Sequence, residues 1–370
     1  MIFPKAIENT NSFIMKLFNI KIKAFLIVVV ITAIGFAQDT DLPNVKILAT
    51  GGTIAGSASS ATSGSYSAGQ VGIQSMINAV PGIEKLADVS GEQVANVGSQ
   101  DITVEIWLKL ANRINELLAS DDVDGIVVTH GTDTQEETAY FLSLVVKSDK
   151  PVVTTGSMRS STSISAEGPL NLYNAVAIAS NPEAKGKGVM VSLNDQIHAA
   201  RDVSKMNTTN VNSFQSPIKG MLGGVFYGRL GFFREPNTKF GNTSKFSITG
   251  VKELPRVDII YAYADMAPDL IDIHVKAGAK GIVIAGVGNG NMTDAILKAA
   301  KKAYEDHGVI IVRSTRAATG WVLRDNEFKD KDYHTVASGD LNPAKARILL
   351  MLALSMGEKL NDMQELFYTY

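Results

Sequence analysis

The regular alternation of short apolar runs with helical patterns constrains the fold of this chain more than any other feature of its sequence. Four runs before residue 200 are typical of buried strands: residues 45–49, 125–129, 151–155 and 188–192. The segment 103–119 has one apolar helical face, formed by Ile106, Leu110, Ile114 and Leu117. A second helix is predicted over residues 135–147. Because strands that alternate with helices form parallel sheets covered on both faces, the sequence predicts an α/β fold.

The alternation resumes after a polar stretch rich in turn formers, residues 236–255, which we interpret as a linker between two domains. Beyond it the pattern predicts further strands and helices: strand 257–261, helix 268–277, strand 281–285, helix 293–305, strand 308–313 and a long helix after Asn342 and Pro343. A chain of 370 residues commonly forms two domains. We expect a larger N-terminal α/β domain with a mostly parallel sheet over residues 43–235. A smaller C-terminal α/β domain with a parallel sheet should span residues 256–370.

The first 37 residues differ in composition from the rest of the chain. Lys16, Lys21 and Lys23 precede an apolar run over residues 24–34, and a small-x-small sequence ends at Ala37. These are the parts of a secretory signal peptide cleaved after Ala37. The apolar run is shorter than the roughly 20 residues of a membrane-spanning helix. We expect a periplasmic protein with no stable membrane association after cleavage. A retained N-terminal anchor is the alternative, and translation starts at either Met1 or Met15.

The composition excludes several kinds of chemistry. The chain has no cysteine, which rules out disulfides, thiolate zinc sites and cysteine nucleophiles. Its five histidines are scattered without the spacing of metal ligands, so no metal is expected. The 35 Lys and Arg residues against 37 Asp and Glu residues argue against a nucleic-acid partner, which would require a basic surplus. Any chemistry must therefore use oxygen, nitrogen or backbone groups.

A glycine-rich turn, residues 50–56 (Thr-Gly-Gly-Thr-Ile-Ala-Gly), follows the first predicted strand. Ligands of open α/β sheets bind at the carboxyl ends of strands. Neither a dinucleotide fingerprint nor a P-loop fits, because Thr53 and Ser57 stand where those motifs need Gly and Lys. The turn can present the Thr53 hydroxyl to a ligand, or Thr53 can simply bond its own backbone. Residues 57–70 are mostly small, with Tyr66 as the one large side chain, which is typical of a mobile lid or of an ordinary surface loop.

A second polar run, residues 129–138, follows the strand predicted at 125–129. Its Thr132 and Asp133 put a hydroxyl and a carboxylate at a helix N-terminus, where free amides stabilise negative charge. The same run also contains two possible helix-capping boxes, Asp133 with Glu136 and Thr134 with Glu137. We expect His130, in the middle of this run, to be a buried and hydrogen-bonded structural imidazole.

Lys205 lies in a third polar run, residues 200–207. A lysine at such a position is ordinarily a solvated surface residue. If it lies behind Thr132 instead, it can act as a base toward a hydroxyl or a water.

Together these motifs resemble the bacterial L-asparaginases, in particular the periplasmic type II enzymes and the glutaminase-asparaginases. Thr-Gly-Gly-Thr-Ile-Ala-Gly at 50–56 and His-Gly-Thr-Asp-Thr at 130–134 look like the two signatures of that family. Four further segments extend the similarity over essentially the whole chain after residue 37: Gly-Ser-Gln-Asp at 98–101, Arg-Asp-Val-Ser-Lys at 201–205, Gly-Val-Gly-Asn-Gly-Asn at 286–291 and Ala-Ser-Gly-Asp-Leu-Asn-Pro at 337–343.

The resemblance implies hydrolysis of L-asparagine to L-aspartate and ammonia by a threonine nucleophile, without metal or cofactor. Carried over by motif, Thr53 would attack the side-chain amide, and Tyr66 on the lid would bond Thr53. In a second cluster with Thr132 and Asp133, Lys205 would activate Thr132 or the water that it holds. Backbone amides near Thr53 and Thr132 would hold the oxyanion.

The resemblance also implies a set of substrate-binding residues. Asp133 would bind the α-ammonium of the substrate, while Ser99 and Gln100 would hold its α-carboxylate and amine. The family is tetrameric, and each site is completed by a neighbouring subunit. The residues that complete it correspond here to Asn291 and Glu327, so we expect a homotetramer.

This chain departs from the family pattern at several points, and alternatives to an asparaginase stay open. It cannot form the disulfide of some members, and Ser160 follows Met158 and Arg159 where Pro is frequent. Ser157, at a substrate-binding position, occurs in members that also hydrolyse glutamine, so a dual-specificity glutaminase-asparaginase is the main alternative. A periplasmic amino-acid-binding protein is the non-enzymatic alternative, but such a protein would not need two hydroxyls backed by a lysine.

Overall fold

An eight-stranded sheet organises the N-terminal domain in the computed structural model of this chain. The structure describes residues 42–58, 60–62, 66–67 and 69–370, with only the backbone of Ala58 and Tyr66. The predicted signal peptide, residues 1–37 with cleavage after Ala37, lies outside the described residues. Residues 43–370 belong to one compact unit.

The described elements of the N-terminal domain are short strands interleaved with helices. Its strands are β1 (Asn44–Gly51), β2 (Ser57–Ala58), β3 (Tyr66–Ser67), β4 (Asp88–Val97), β5 (Gly125–Thr129), β6 (Val152–Thr155), β7 (Val189–Leu193), β8 (Gln196–Ala199), β9 (Ser204–Lys205), β10 (Phe214–Gln215), β11 (Gly223–Phe226) and β12 (Arg229–Phe232). Its helices are α1 (Ile73–Asn78), α2 (Val104–Leu118), α3 (Gln135–Val145) and α4 (Gly168–Ala179).

The sheet is parallel in its centre and antiparallel at one side. Its strand order is β12-β11-β8-β7-β6-β5-β1-β4. Strands β4, β1, β5, β6 and β7 pair in parallel, whereas β8, β11 and β12 continue the sheet as antiparallel strands. Because β5, β6 and β7 are buried along their whole length, both faces of the central sheet must be covered.

Two apolar clusters cover the two faces. Successive residues of a strand point to opposite faces, and accordingly Val128 lies in one cluster and Val127 in the other. Helices α2 and α3 contribute to the cluster around Val128. Helices α1 and α4 contribute to the cluster around Val127.

The C-terminal domain contains a four-stranded parallel sheet in the order β13-β14-β15-β16. Its strands are β13 (Val257–Tyr261), β14 (Gly281–Gly286), β15 (Ile310–Thr315) and β16 (Thr335–Ala337). Its helices are α5 (Asp269–Lys276), α6 (Asp294–His307), α7 (Asp330–Tyr333), α8 (Pro343–Ser355) and α9 (Leu360–Thr369).

Helix α8 joins the two sheets through a single apolar cluster. Its buried residues include Ile348 and Leu349, which lie in the same cluster as Val128 of the N-terminal sheet and Val283 of the C-terminal sheet. The N-terminus of α8 is fixed by Asn342, whose side-chain oxygen accepts a hydrogen bond from the Lys345 backbone amide. The orientation of α8 is therefore set by residues of both domains.

Residues 236–255, the stretch interpreted as a linker, form no strand and contain one 3-10 turn, Gly241–Thr243. Phe246 and Ile248 are buried in the cluster that also holds Val128. The Phe246 ring packs edge-on against Tyr370, with ring centroids 4.9 Å apart. This segment therefore packs along the core.

The predicted fold class, with a mostly parallel N-terminal sheet and a parallel C-terminal sheet, is confirmed.

The predicted apolar face of helix 103–119 is partly wrong. Trp107, Leu108 and Leu118 are buried with Leu110 and Ile114, whereas Ile106 and Leu117 are only half-buried at the edge of that face. The buried face is therefore centred nearer to Trp107, whose ring stacks on Phe141 with the ring centroids 5.3 Å apart. Among the described residues, no helix has the length and apolar character needed to cross a membrane.

We predict that Gly125→Ala destabilises the protein and that Gly231→Ala does not. A Cβ atom at Gly125 would lie 2.1 Å from the backbone oxygen of Ala179, so α4 would have to shift. Such overpacking costs about 1–3 kcal/mol. The matched strand glycine, Gly231, has only ordinary contact at 3.9 Å. Thermal unfolding measures both variants, and equal midpoints would show that α4 does not press on β5 at this position.

Candidate active site

The loops that follow β1 and β5 meet at the carboxyl edge of the N-terminal sheet. Gly51 and Gly52 have φ angles of +109° and +81°, which favour glycine. A Cβ atom on Gly52 would lie 2.3 Å from the backbone nitrogen of Gly131. Only this close approach of two glycines brings Thr53, at the start of a short 3-10 helix, beside the run 130–134.

The turn after β4 closes the same corner from the other side of β1. Ser99 is buried, and its hydroxyl oxygen accepts a hydrogen bond from the backbone amide of Asp133 at 3.1 Å. In return, the Thr134 hydroxyl donates to the carbonyl oxygen of Ser99 at 2.7 Å. The turn is thereby fixed to the start of α3.

These three loops line a cleft of about 160 Å³. Its lining consists of Gly52, Thr53, Gly98, Ser99, Gln100, Gly131 and Asp133. A cleft of this size is smaller than the pockets of roughly 300–1,000 Å³ that hold drug-sized ligands. The hydroxyl, amide and carboxylate groups around it suit a small polar ligand.

Lys205, on β9, contacts the second polar run directly. Its Nζ donates to Thr132 Oγ1 at 2.9 Å and to Asp133 Oδ1 at 2.6 Å. The Lys205 side chain is only 14% exposed, whereas the Asp133 side chain is 61% exposed. Lys205 is thus not the solvated surface lysine that the sequence left open: it faces the buried Thr132, and Asp133 remains accessible to a ligand.

Thr53, Ser99, Thr132, Asp133 and Lys205 therefore meet at one corner of the sheet. Gln100 lies at the same corner and is exposed, with its side-chain amide folded over Gly98. Two threonine hydroxyls, an amine and a carboxylate in this arrangement can carry out nucleophilic attack and proton transfer.

The segment predicted as a lid forms a short hairpin in which Ser57 pairs with Ser67 and Ala58 with Tyr66. It returns to the glycine-rich turn through hydrogen bonds from Gly69 N to Gly52 O and from Val71 N to Ala55 O. The backbone of Tyr66 thus lies in a hairpin rooted at the cleft, while its side chain lies outside the described part of the chain.

His130 is buried and structural, which confirms its predicted role. Its Nδ1 lies 2.7 Å from the Gly131 carbonyl oxygen, so Nδ1 carries the proton. Its Nε2 then accepts from the Thr138 hydroxyl at 2.9 Å, and Thr138 accepts from the Trp107 indole N–H. Burial lowers the pKa of His130 to about 4, so the ring is neutral near pH 7.

Neither of the two possible capping boxes forms. Thr134 occupies the N-cap position of α3 without a side-chain capping bond, and its hydroxyl donates to the Ser99 carbonyl oxygen. The carboxylates of Glu136 and Glu137 turn to the C-terminal domain. Glu136 accepts from Asn342 Nδ2 at 3.3 Å, and Glu137 lies 3.9 Å from Arg347.

Ser157 does not line the 160 Å³ cleft. Its hydroxyl donates to the Arg159 carbonyl oxygen at 2.6 Å. Ser157 lines a separate, mainly apolar cavity of about 210 Å³ with Ile54, Met76 and Leu172. Ser157 follows Gly156, and a Cβ atom added to Gly156 would lie 3.4 Å from Thr132 Cγ2. Ser157 is therefore one residue away from a direct neighbour of Thr132.

Asn291 and Glu327 contact each other at the carboxyl edge of the C-terminal sheet. Asn291 Nδ2 donates to Glu327 Oε1 at 2.7 Å, and Glu327 is exposed. The structure gives neither residue a hydrogen bond or ion pair with the described site residues of the same chain.

Arg313, a buried residue of β15, organises the two loops that carry this pair. Its guanidinium binds Asp330 through two hydrogen bonds of 2.7 Å. It also donates to backbone oxygens of both loops, at Asn289, Gly290 and Leu323. All five of its N–H groups are thus engaged, and they connect the loops that carry Asn291 and Glu327 to β15.

Sequence reasoning missed three features that build the site. The approach of Gly52 to Gly131 and the bonds between Ser99 and residues 133–134 connect segments far apart in the chain. The tip of α8, with Asn342 and Lys345, reaches the segment before Lys205. The only signal for α8 was the Asn342–Pro343 helix start, which shows where a helix begins and not what it contacts.

Both halves of the chain match known protein families. Residues 44–238 match the family model described as Asparaginase, N-terminal, and residues 256–367 match the Glutaminase/Asparaginase C-terminal domain. The chain is 56% identical to L-asparaginase 2 of Bacillus subtilis, over 89% of this chain and 86% of that protein. It is 48% identical to the probable periplasmic L-asparaginase of Haemophilus influenzae, over 90% of this chain and 95% of that protein.

A solved structure shows the same fold. The crystal structure of a probable cytoplasmic L-asparaginase from Campylobacter jejuni superposes with a TM-score of 0.86. The two sequences are 44% identical, and the match covers 89% of this chain and 100% of the Campylobacter chain.

We predict that His130 stays neutral, with its proton on Nδ1, down to about pH 4. An unfolded histidine titrates near 6.5, so the stability contributed by the neutral ring is complete above pH 6.5 and is lost as the pH falls through about 4. NMR of protein labelled with ¹⁵N-histidine reports both the tautomer and the pKa. The buried His198 has a similar pKa and is assigned with a His198→Gln variant. An Nε2-protonated ring at position 130, or titration near 6.5, would contradict the structural role.

Proposed function

The chain belongs to the asparaginase family, and from this premise we propose how its cleft hydrolyses the side-chain amide of L-asparagine to L-aspartate and ammonia. The observation that carries the mechanism is the contact of Lys205 with Thr132 and Asp133 beside the turn that holds Thr53. This contact supports a mechanism in which the Thr132 hydroxyl and the Lys205 amine act from the side of Asp133, which lines the cleft together with Thr53.

In the first half of the reaction, Thr53 Oγ attacks the side-chain amide carbon of the substrate. The amide oxygen becomes an oxyanion, which backbone amides near Thr53 and Thr132 stabilise. The C–N bond then breaks, ammonia leaves with a proton, and an ester joins Thr53 to the substrate carbonyl. Tyr66, on the hairpin rooted at the cleft, helps to move the Thr53 proton.

In the second half, a water attacks the ester carbon and releases L-aspartate. Lys205 exchanges a proton with Thr132 or with the water that Thr132 holds, because its Nζ lies 2.9 Å from Thr132 Oγ1. Thr53 regains its proton as the ester C–O bond breaks. No metal or cofactor takes part in either half.

The cleft residues divide the recognition of the substrate among them. Asp133 binds the α-ammonium group with its exposed carboxylate. Ser99 and Gln100 hold the α-carboxylate and amine from the turn after β4. A binding protein could use the same contacts for an amino acid, but it would not require the Lys205–Thr132 contact.

L-Glutamine is the alternative substrate, and a glutaminase-asparaginase is the second candidate function. The family model of the C-terminal domain bears both names. Ser157 supports this candidate, since it borders Thr132 through Gly156 and lines a cavity next to the cleft. One additional methylene changes discrimination by only about 1–3 kcal/mol, so small differences in the pocket set the preference.

The protein functions as a homotetramer in which each cleft is completed by Asn291 and Glu327 of a neighbouring subunit. The exposure of Glu327 and its hydrogen bond with Asn291 support this arrangement. Large apolar side chains of the same loops are also exposed, among them Trp321 and Leu323, at 46% and 48%. Exposed apolar patches of this kind mark interfaces.

The protein is exported to the periplasm after cleavage behind Ala37. The basic and apolar composition of residues 1–37 supports export. The Haemophilus relative is named periplasmic, whereas the Campylobacter protein is named cytoplasmic, so the leader of this chain carries the proposal.

We predict that Thr53→Val and Thr132→Val each lower kcat by at least about 10³-fold, because each removes a hydroxyl that reacts or relays a proton. Thr50→Val is the matched control: its buried hydroxyl donates to the Thr129 carbonyl oxygen, so it should cost stability and spare kcat. Ammonia release from L-asparagine and L-glutamine, by the chain without residues 1–37, measures all three variants. Near-normal turnover of either catalytic variant would refute the two-threonine mechanism.

We predict that two inactive variants complement each other when they assemble together. Thr53→Val removes the nucleophile from the part of a shared site that the N-terminal domain of one subunit supplies. Glu327→Ala removes a residue from the part that the neighbouring subunit supplies. Random co-assembly of equal amounts should restore about a quarter of wild-type activity, because one site in four receives two intact halves. Light scattering verifies the tetramer. If the mixture is no more active than the sum of its parts, the sites are not shared.

A further inference from the structure

A buried lysine at the start of α8, Lys345, has no role in the mechanism above. It is 2% exposed and lies in the first turn of a helix. The N-terminus of a helix carries a partial positive charge, which disfavours a cation, and burial disfavours it further. A lysine in such a place requires strong compensating contacts.

The hydrogen bonds of Lys345 Nζ and its ion pair come from the segments that hold the catalytic residues. Its Nζ donates to the backbone carbonyl oxygens of Arg201 (3.0 Å) and of Val203. The carboxylate of Glu136, three residues after Asp133, lies 3.8 Å from the same nitrogen. One ammonium group thus connects the chain just before Lys205 with the first turn of α3.

Asn342 makes the same connection one turn earlier. Its Nδ2 donates to the hydroxyl oxygen of Ser204 at 3.1 Å and to Glu136 Oε2 at 3.3 Å. Its Oδ1 caps α8 by accepting from the Lys345 backbone amide at 2.9 Å. The tip of α8 therefore binds Ser204, the immediate neighbour of Lys205, with a second side chain.

The side chains of the 201–202 turn are fixed independently by buried ion pairs. Arg201 binds Asp340 at 2.7 Å and donates to the Tyr370 carbonyl oxygen. Asp202 binds Arg234 at 2.6 Å. With the side chains fixed in this way, the backbone oxygens of Arg201 and Val203 are oriented toward Lys345.

We propose that Lys345, assisted by Asn342, is a positioning residue that sets the distance between Lys205 and Thr132 from the C-terminal domain of the same chain. The inference rests on the proposed function, since it assigns Lys345 a role only through Lys205. Burial supports the same reading, because it lowers the pKa of Lys345 to about 8 while Glu136, Asp202 and Asp340 oppose the shift and Arg201 adds to it. Because burial disfavours the charged form, the hydrogen bonds and the ion pair of the Lys345 ammonium group account for its presence at this position.

Lys345→Met should lower kcat by about 10- to 100-fold and change KM less than threefold, because displacement of a catalytic group by about 1 Å can cost 10²-fold in rate. Lys147→Met is the matched control. Lys147 also donates from Nζ to two backbone carbonyl oxygens, of Gly241 and Ser244, but at the far end of α3. It should lower stability without lowering kcat.

A double variant distinguishes positioning from a general loss of structure. In a Lys205→Met background, Lys345→Met should change the residual kcat less than twofold, because the residue through which it acts is absent. If the two losses multiply instead, the proposal is overturned. If Lys205→Met alone keeps full activity, the proposed function fails; if Lys205→Met is inactive and Lys345→Met is fully active, only the positioning role fails.

Asn342→Ser provides the test if Lys345→Met does not fold. Serine keeps a good N-cap for α8 and removes only the amide donor to Ser204 and Glu136. The variant should keep its thermal midpoint and KM and lose about 3- to 10-fold in kcat. An unchanged kcat in this variant would overturn the proposal.

Discussion

The contact between the Lys205 amine and the Thr132 hydroxyl is the interaction on which the rest of the site depends. Thr132 follows β5, whereas Lys205 lies 73 residues later on a two-residue strand. The segment of Lys205 is not held by a long element of its own. The contact exists because the glycine-rich turn, the Ser99 turn and the tip of α8 fix the two segments from three sides.

The C-terminal domain acts in two separate places. At the tip of α8 it binds the segment 201–204 of its own chain, directly before Lys205. At the carboxyl edge of its sheet it carries the Asn291–Glu327 pair, on loops to which Arg313 donates hydrogen bonds. The shared apolar cluster around α8 makes these two edges parts of one rigid arrangement. Packing of this kind holds the loops of both domains in place in a chain that cannot form disulfides.

The pattern of apolar residues was sufficient to predict the central strands of the sheet, which are buried on both faces. The strand predicted at 125–129 coincides with β5. A short, continuous apolar run of this kind is typical of a strand in the centre of a parallel sheet, where both faces are covered. Strand β4 was missed, since its residues are mostly half-exposed or exposed and it shows no apolar run. Thr53, Thr132 and Lys205 were predicted through motifs and a family resemblance. The contacts of Lys345, Asn342 and Arg313 could not be predicted, because they join segments whose proximity only the tertiary fold creates.

Chemical rescue of Lys205→Ala tests the central role of this lysine most directly. The variant should be nearly inactive, and small primary amines should restore turnover in a saturable way, since they can occupy the space beside Thr132 and exchange protons with it. Tetramethylammonium has the same charge without an exchangeable proton and should not restore it. Full activity of Lys205→Ala, or equal rescue by both kinds of cation, would contradict proton transfer by Lys205.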